Sequence, residues 1–133
     1  MLNNLGFALQ GQGNYASAVR HFLDALKMLQ DLEEPIALAE CLIGVASAYL
    51  HFQKQRLCVQ TLSAANALLT SLNAQGELDY ADQAQYDRLY ASAHLENEEG
   101  QAAWKSGQST PTAQLISAIF EDFRANAILD TDV

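Results

Sequence analysis

The chain has 133 residues, half of them hydrophobic and only two of them proline, so it can bury the core of one helical domain without metals or disulfides. Its net charge of −9 repels the phosphates of nucleic acids and of anionic membranes, so we expect neither as a direct partner. No apolar run approaches the roughly 20 residues of a membrane-spanning helix, and no secretory segment follows Met1, which predicts a soluble, cytoplasmic protein.

The first predicted element is a helical hairpin over residues 1–32. Small residues, Gly6 and Ala18, occur where two antiparallel helices would cross, and large apolar residues surround them. Gly13 favours the positive φ that ends a helix, and Asn14 is of a type that caps the next one. The sequence therefore predicts a close helix–turn–helix pair, in which Gly6→Leu would overpack the crossing.

The same pattern returns in weaker form 40 residues later, over residues 36–73. Cys58, Leu62 and Ala65 repeat the spacing of Ala18, Phe22 and Ala25. No glycine occurs in the turn around Gln53, so we expect a less standard loop there. Pro35 follows two glutamates and marks the boundary between the hairpins, because proline suits the first turn of a helix and carboxylates favour its amino end.

Residues 77–129 are helical in pattern but do not form a clear third hairpin. A fifth helix is predicted near 78–95 and a short sixth over 100–105, after which Thr110 and Pro111 are expected to cap and begin the last helix. That helix carries one apolar face, which consists of Ile116, Ile119, Phe120 and Phe123. The earlier helices are predicted near 2–12, 16–31, 36–52 and 55–72. The whole chain, 1–133, is therefore predicted to be a single all-α domain of about seven helices.

The hairpin pattern is close to that of tetratricopeptide repeats. Further motifs are Ala64-Ala65-x-Ala67-Leu68-Leu69, Tyr86-Asp87-Arg88, Leu95-x-Asn97-Glu98-Glu99 and Ala102-Ala103-Trp104-x-x-Gly107. Together they resemble the C-terminal end of large bacterial signal-transduction ATPases and transcriptional regulators with tetratricopeptide tails, some of which end in a LuxR-type DNA-binding domain. The resemblance covers residues 36–123. The hairpin pattern itself predicts about two repeats of tetratricopeptide type followed by C-terminal capping helices.

The chain lacks the nucleotide-binding and DNA-binding sequences of that family. It has no Gly-x-x-x-x-Gly-Lys-Ser/Thr loop and no basic recognition helix. If the chain is a piece of a longer protein, the resemblance implies the sensor and coupling arm of a switch. If it acts alone, the resemblance implies an adaptor.

Nothing in the sequence indicates a catalytic, metal or cofactor site. The three histidines, His21, His51 and His94, are not spaced as a local metal site requires, and no nucleophile motif occurs. The acidic run Glu96, Glu98 and Glu99 is typical of a helix start rather than of acid–base catalysis. Cys41 and Cys58 are expected to be small buried hydrophobic residues.

Two further side chains have alternative interpretations. Trp104 is either an exposed binding residue or, as the resemblance implies, a buried residue that fixes a short helix, and we expect burial. Arg88 either pairs with a neighbouring acid, which we favour, or reaches the carboxylate of a partner.

The expected working surface is the concave face, which the first helix of each hairpin lines in the resembled repeats. The candidate partner-binding residues are Asn3, Asn4, Phe7 and Gln10 in the first hairpin, and Glu40, Ile43, Ser47 and His51 in the second. The sequence thus favours a non-enzymatic module that binds a protein or peptide and forms a homodimer. The alternative is a helical domain that senses a small molecule or peptide.

Overall fold

Seven α-helices form the regular structure of the computed structural model, which describes residues 2–74, 76–78, 80–92 and 97–125. They are α1 (Leu2–Gly11), α2 (Tyr15–Asp31), α3 (Pro35–His51), α4 (Gln55–Ser71), α5 (Tyr80–Ala91), α6 (Glu98–Ser109) and α7 (Thr112–Ala125). The described residues contain no strand, so the predicted all-α fold is confirmed. None of the described helices is both long and apolar enough to cross a membrane.

The ends of α1 to α4 share one backbone geometry. The residue after each helix cap has a positive φ, and these residues are Gly13, Glu33, Gln53 and Asn73, spaced 20 positions apart. The N–H of that residue binds the carbonyl three positions earlier, and the next N–H binds the carbonyl five positions earlier, as in a Schellman motif. Gln53 therefore forms the same turn as Gly13, and the expectation of a less standard second loop was wrong.

The helix starts agree with the sequence at Pro35 but not at Asn14. Pro35 is in the first turn of α3, as predicted. Asn14 occupies the N-cap position of α2, but its side chain makes no bond to the helix backbone and donates instead to Gln12 Oε1 at 3.4 Å. The predicted side-chain cap is therefore wrong.

The fifth and sixth helices differ in length from their predictions. Helix α5 is shorter than the predicted 78–95, and residues 79 and 93–95 of that prediction lie outside the described residues. Helix α6 is longer than the predicted 100–105, because Asn97 Oδ1 accepts a hydrogen bond from Gly100 N at 2.6 Å and caps it. Glu98 and Glu99 lie in its first turn, as the sequence indicated.

The boundary between α6 and α7 also corrects the sequence analysis. Thr110 ends α6 rather than starting α7, because its hydroxyl donates to the carbonyl of Ser106 at 2.7 Å. Helix α7 begins at Thr112, one residue after Pro111, whose carbonyl accepts from Leu115 N. The predicted roles of Thr110 and Pro111 were therefore wrong.

The central helix of the fold is α3, which contacts α1, α2, α4 and α5. Gly44 of α3 and Gly6 of α1 both lie against the ring of Phe22 from α2, and a Cβ added at either glycine would overlap that ring. Ala18, one turn before Phe22, is fully buried. The predicted close approach at Gly6 and Ala18 is confirmed, and α3 contributes a second glycine to it.

Helix α7 packs onto the same core as the two hairpins. Its buried residues are Leu115, Ile116, Ile119 and Phe123, and Phe120 is half-buried, which confirms the predicted apolar face. The Phe123 ring stacks on Tyr49 of α3 with their centroids 4.8 Å apart. An ion pair between Lys54 and Asp122, 3.4 Å long, holds the carboxyl end of α7 near the start of α4.

Helix α6 packs on α4 at a point where only glycine fits. A Cβ at Gly107 would overlap the carbonyl oxygen of Gln60 and the side chain of Ser63. Ser63 Oγ in turn donates to the carbonyl of Trp104 at 2.5 Å. The indole of Trp104 is half-buried and meets the Tyr90 ring edge to face, so its expected burial is only partial.

Candidate functional site

An open cleft of about 660 Å³ lies between α1, α3 and α5. Its lining residues are Gln10, Gly11, Tyr15, Ser47, Leu50, His51, Ala81, Ala84, Gln85 and Arg88. Three of the candidate partner-binding residues, Gln10, Ser47 and His51, are among them. The structure therefore brings three of the five candidate residues with described side chains together with one face of α5 in a single cleft, the α1–α3–α5 cleft.

The other candidate residues do not line the cleft. Ile43 is fully buried and Glu40 is only 8% exposed, so neither lies on an open surface, which corrects the sequence analysis. The side chains of Asn3, Asn4 and Phe7 lie outside the described part of the structure. Ile43 needs no partner to cover it, because it packs within the main core of the fold.

A chain of hydrogen bonds crosses the cleft and links its three helices. Gln85 Nε2 of α5 donates to Ser47 Oγ of α3 at 2.9 Å, and Ser47 Oγ donates to Gln10 Oε1 of α1 at 3.2 Å. Gln10 Nε2 is inaccessible to solvent and has no hydrogen-bond partner among the described residues. A buried donor without a hydrogen bond costs about 1–3 kcal/mol of stability. The protein itself therefore does not supply all the hydrogen bonds that Gln10 can make.

Aromatic rings form the end of the cleft near the first and third turns. The rings of Tyr15 and His51 stack in parallel, with their centroids 3.3 Å apart and their planes 6° from each other. Phe52 meets both rings edge to face. His51 remains exposed on the cleft side, which leaves an imidazole edge for hydrogen bonding beside a flat apolar surface.

Arg88 is the only arginine or lysine among the described residues that line the cleft. Its side chain is exposed on α5 and forms no ion pair with any residue that the structure describes. No aspartate or glutamate is among the described residues that line the cleft. The favoured prediction, that Arg88 pairs with a neighbouring acid, is therefore not seen within the described residues.

The two thiols have none of the properties of catalytic cysteines. Cys41 and Cys58 are free, and each is only 1% exposed, which confirms the expectation of small buried residues. Burial raises the pKa of each thiol to about 12, and the carboxyl groups of Glu40 and Asp82 contribute to the shift at Cys41. Both thiols are therefore protonated, and weak nucleophiles, at neutral pH.

No metal-binding constellation is present in the part of the chain that the structure describes. His21, His51, the two cysteines and the described carboxylates do not form any group of three or more that could hold an ion. Asp82, buried at the contact between α5 and α3, lies near Glu40 and Cys41 but does not complete such a group. His94 lies outside the described residues.

Sequence reasoning missed Gln85 and Tyr15 and did not place Arg88 in the cleft. The missed signal is the 20-residue spacing of the turns, from Gly13 to Asn73. That spacing predicts a third helix beside α3, in the position that α3 takes beside α1. Extending it past Asn73 would have placed α5 along the concave face.

No protein-family model, curated protein or solved structure matches this chain. The similarity to the tetratricopeptide tails of bacterial regulators therefore stays a prediction. The features that bear on function are therefore those of the cleft: a hydrogen-bond chain across three helices, an aromatic end and the exposed Arg88.

Proposed function

We propose that the chain is a non-enzymatic interaction module that holds an extended segment of a partner protein in the α1–α3–α5 cleft. The observation that carries this proposal is the meeting of Gln10, Ser47, Gln85 and Arg88, from three different helices, in one open groove. Amide, hydroxyl and guanidinium groups match the alternating donors and acceptors of a peptide backbone. The open shape suits a chain that enters at one end and leaves at the other.

The biological setting that we propose is the terminal repeat region of a bacterial signalling or transcriptional regulator. The sequence motifs around Tyr86 and Trp104 support this setting. Close contacts at Gly44 and Gly107, where only glycine fits, support a rigid scaffold. In a close-packed scaffold, a partner bound in the cleft would shift α1, α3 and α5 together. A cytoplasmic location belongs to the same proposal.

A second candidate function is the sensing of a small molecule in the same cleft. Its volume of about 660 Å³ favours this alternative, because small-molecule sites commonly occupy roughly 300–1,000 Å³. Native mass spectrometry of the protein purified without added ligand distinguishes the two. A retained compound that Ala81→Trp displaces favours the sensor, because Ala81 is an exposed residue of the cleft lining.

The interaction module is tested by photo-crosslinking in the native cell. A benzoylphenylalanine replaces Ala81 in the cleft or, as a matched control, Ala118 on the exposed side of α7. We expect a defined partner band from position 81 and none from position 118. Adding Gly11→Trp should abolish the band, whereas the thermal unfolding midpoint should change little, because Gly11 is an exposed residue of the cleft lining and a Cβ there meets nothing within 4 Å. Equal crosslinking from both positions, or none from position 81, would contradict the proposal.

A further inference from the structure

The lining of the α1–α3–α5 cleft includes two side-chain donors that have no partner among the described residues, one on Gln10 and one on Arg88. Gln10 Oε1 and Ser47 Oγ are both acceptors, and both already take part in the hydrogen-bond chain within the protein. The guanidinium of Arg88 and the amide Nε2 of Gln10 are donors without a partner among the described residues. A ligand group that accepts hydrogen bonds therefore complements these two donors.

The distribution of charge indicates that the hydrogen-bond acceptor on the ligand is negatively charged. The chain as a whole has a net charge of −9, yet the described lining of the cleft has one guanidinium and no carboxylate. An anion is repelled by most of this protein but is attracted at the cleft. Arginine binds a carboxylate through two parallel N–H···O bonds, which a neutral carbonyl does not match.

We propose that the partner segment presents a carboxylate, either a chain terminus or an aspartate or glutamate side chain, to Arg88 in this cleft. This inference depends on the proposed function and names the group that the cleft recognises. Gln10 supplies a second donor after a rotation of its side chain, and Gln85 lies one turn before Arg88 on the same face of α5. The stacked rings of Tyr15 and His51 then contact the apolar part of the segment.

The experiment uses the full chain and four pools of random octapeptides that differ only in their carboxylates. One pool has free C-termini with Asp and Glu excluded, and a second is amidated with Asp and Glu included. A third pool has both sources of carboxylate, and a fourth has neither. Peptides retained by the immobilised protein are identified by mass spectrometry, and the dissociation constants of the most enriched sequences are measured by calorimetry.

Variants of Arg88 connect the selection to the cleft. Arg88→Gln should weaken the selected peptides about tenfold or more, and Arg88→Lys should weaken them less, because it keeps the charge but loses the paired geometry. Arg56→Gln removes an exposed arginine of α4 that does not line the cleft, and it should leave affinity unchanged. Circular dichroism melting checks that all three variants are folded.

The outcomes separate this inference from the proposed function. The inference is supported if peptides are enriched from the pool with free C-termini or from the amidated pool with Asp and Glu, but not from the pool without carboxylates, and if Arg88→Gln weakens their binding. The pool that is enriched then identifies the source of the carboxylate. Equal enrichment from the fourth pool, or binding unaffected by Arg88→Gln, overturns the inference but leaves a peptide-binding cleft. No enrichment from any pool overturns both.

Discussion

Phe22 shows how a single residue constrains three helices. Its ring is completely buried, and glycines from α1 and α3 lie against it, so neither glycine can gain a side chain without displacing the ring. The sequence analysis identified Gly6 in this role, and the structure adds Gly44. Because protein interiors are close-packed, the ring has no free space into which to move.

We predict that Gly44→Ala lowers the free energy of unfolding by about 1–3 kcal/mol, because its methyl group overlaps the Phe22 ring. Gly6→Leu should act in the same direction. Gly11→Ala is the matched control, since a Cβ there meets nothing within 4 Å and alanine is the better helix former. Urea unfolding measures all three variants. A Gly44→Ala protein as stable as the parent would mean that the core is looser than the structure indicates.

The two buried thiols give a prediction for alkaline pH. Their pKa in the folded chain is about 12, against 9.0 for an unperturbed thiol. Below pH 9 both the folded and the unfolded chain largely keep these protons, so ionisation of the thiols does not affect stability. Above pH 9 the unfolded chain loses them first, so the free energy of unfolding should fall by up to about 1.4 kcal/mol per pH unit for each thiol.

Urea unfolding between pH 8 and pH 10 measures this decline. The range ends at pH 10, the usual pKa of tyrosine, because burial and Asp122 also raise the pKa of Tyr49 and its ionisation would add to the decline at higher pH. The control is the double variant Cys41→Ala and Cys58→Ala, which is less stable at pH 8 but should show a shallower decline. An identical slope in the parent and the double variant would show that other groups cause it.

At the scale of elements, the turns depend on backbone hydrogen bonds more than on glycine. Only Gly13 of the four positive-φ residues is a glycine, although all four turns have the same pattern of bonds. The left-handed conformation costs a residue with a Cβ roughly 1–2 kcal/mol, and asparagine tolerates it better than most. The backbone strain at Glu33 and Gln53 should therefore be removed by substitution with glycine.

We predict that Gln53→Gly raises the free energy of unfolding by up to about 1 kcal/mol, because glycine adopts a φ of 62° without strain. Asn73→Gly should give a smaller gain. Gly13→Ala should destabilise the protein by about 1 kcal/mol, since its φ is 82°. Thermal unfolding compares the three variants. A loss of stability in Gln53→Gly would mean that its side chain has a role beyond the turn.

The packing of α6 on α4 gives a prediction with an optical readout. Gly107→Ala places a methyl group against the carbonyl of Gln60, which is backbone and cannot rotate away. We expect α6 to shift from α4 and expose Trp104, the only tryptophan, so that its fluorescence moves to longer wavelength. Gln101→Ala, on the exposed side of α6, is the control and should leave the emission unchanged. An unchanged spectrum for Gly107→Ala would contradict the close contact.

At the scale of the whole molecule, helix α1 has an exposed side, on which Ala8 and Gly11 lie. Helix α1 packs on α2 and α3, and a second copy of the chain is the simplest cover for its outer side. We therefore predict a homodimer at micromolar concentration, measured by sedimentation velocity. Ala8→Arg on the exposed side of α1 should shift the protein to monomer, whereas Ala118→Arg on α7 should not. A parent that stays monomeric at high concentration would contradict the prediction.

The sequence alone determined that the chain is helical, where most helices lie and which residues of α7 face the core. These properties depend on local signals, which are apolar spacing, a glycine that ends a helix and a proline that begins one. The pattern of small and large residues in the first hairpin also placed Gly6 near Phe22, and the structure agrees. Local signals were insufficient at a boundary between two helices. Thr110 could cap either α6 or α7, and its hydroxyl bonds to the carbonyl of Ser106 at the end of α6.

Only the tertiary structure decided which side chains form the cleft. Helix α3 is apolar on nearly all sides, with buried residues from Leu38 to Tyr49, so its sequence does not indicate which face is open. The packing of α1, α4 and α5 around it buried Ile43 and Glu40 and left Ser47 and His51 at the surface. Arg88 reached the same cleft because α5 lies beside α3. That contact is long-range, and the apolar spacing within each helix, from which the helices were located, does not specify it.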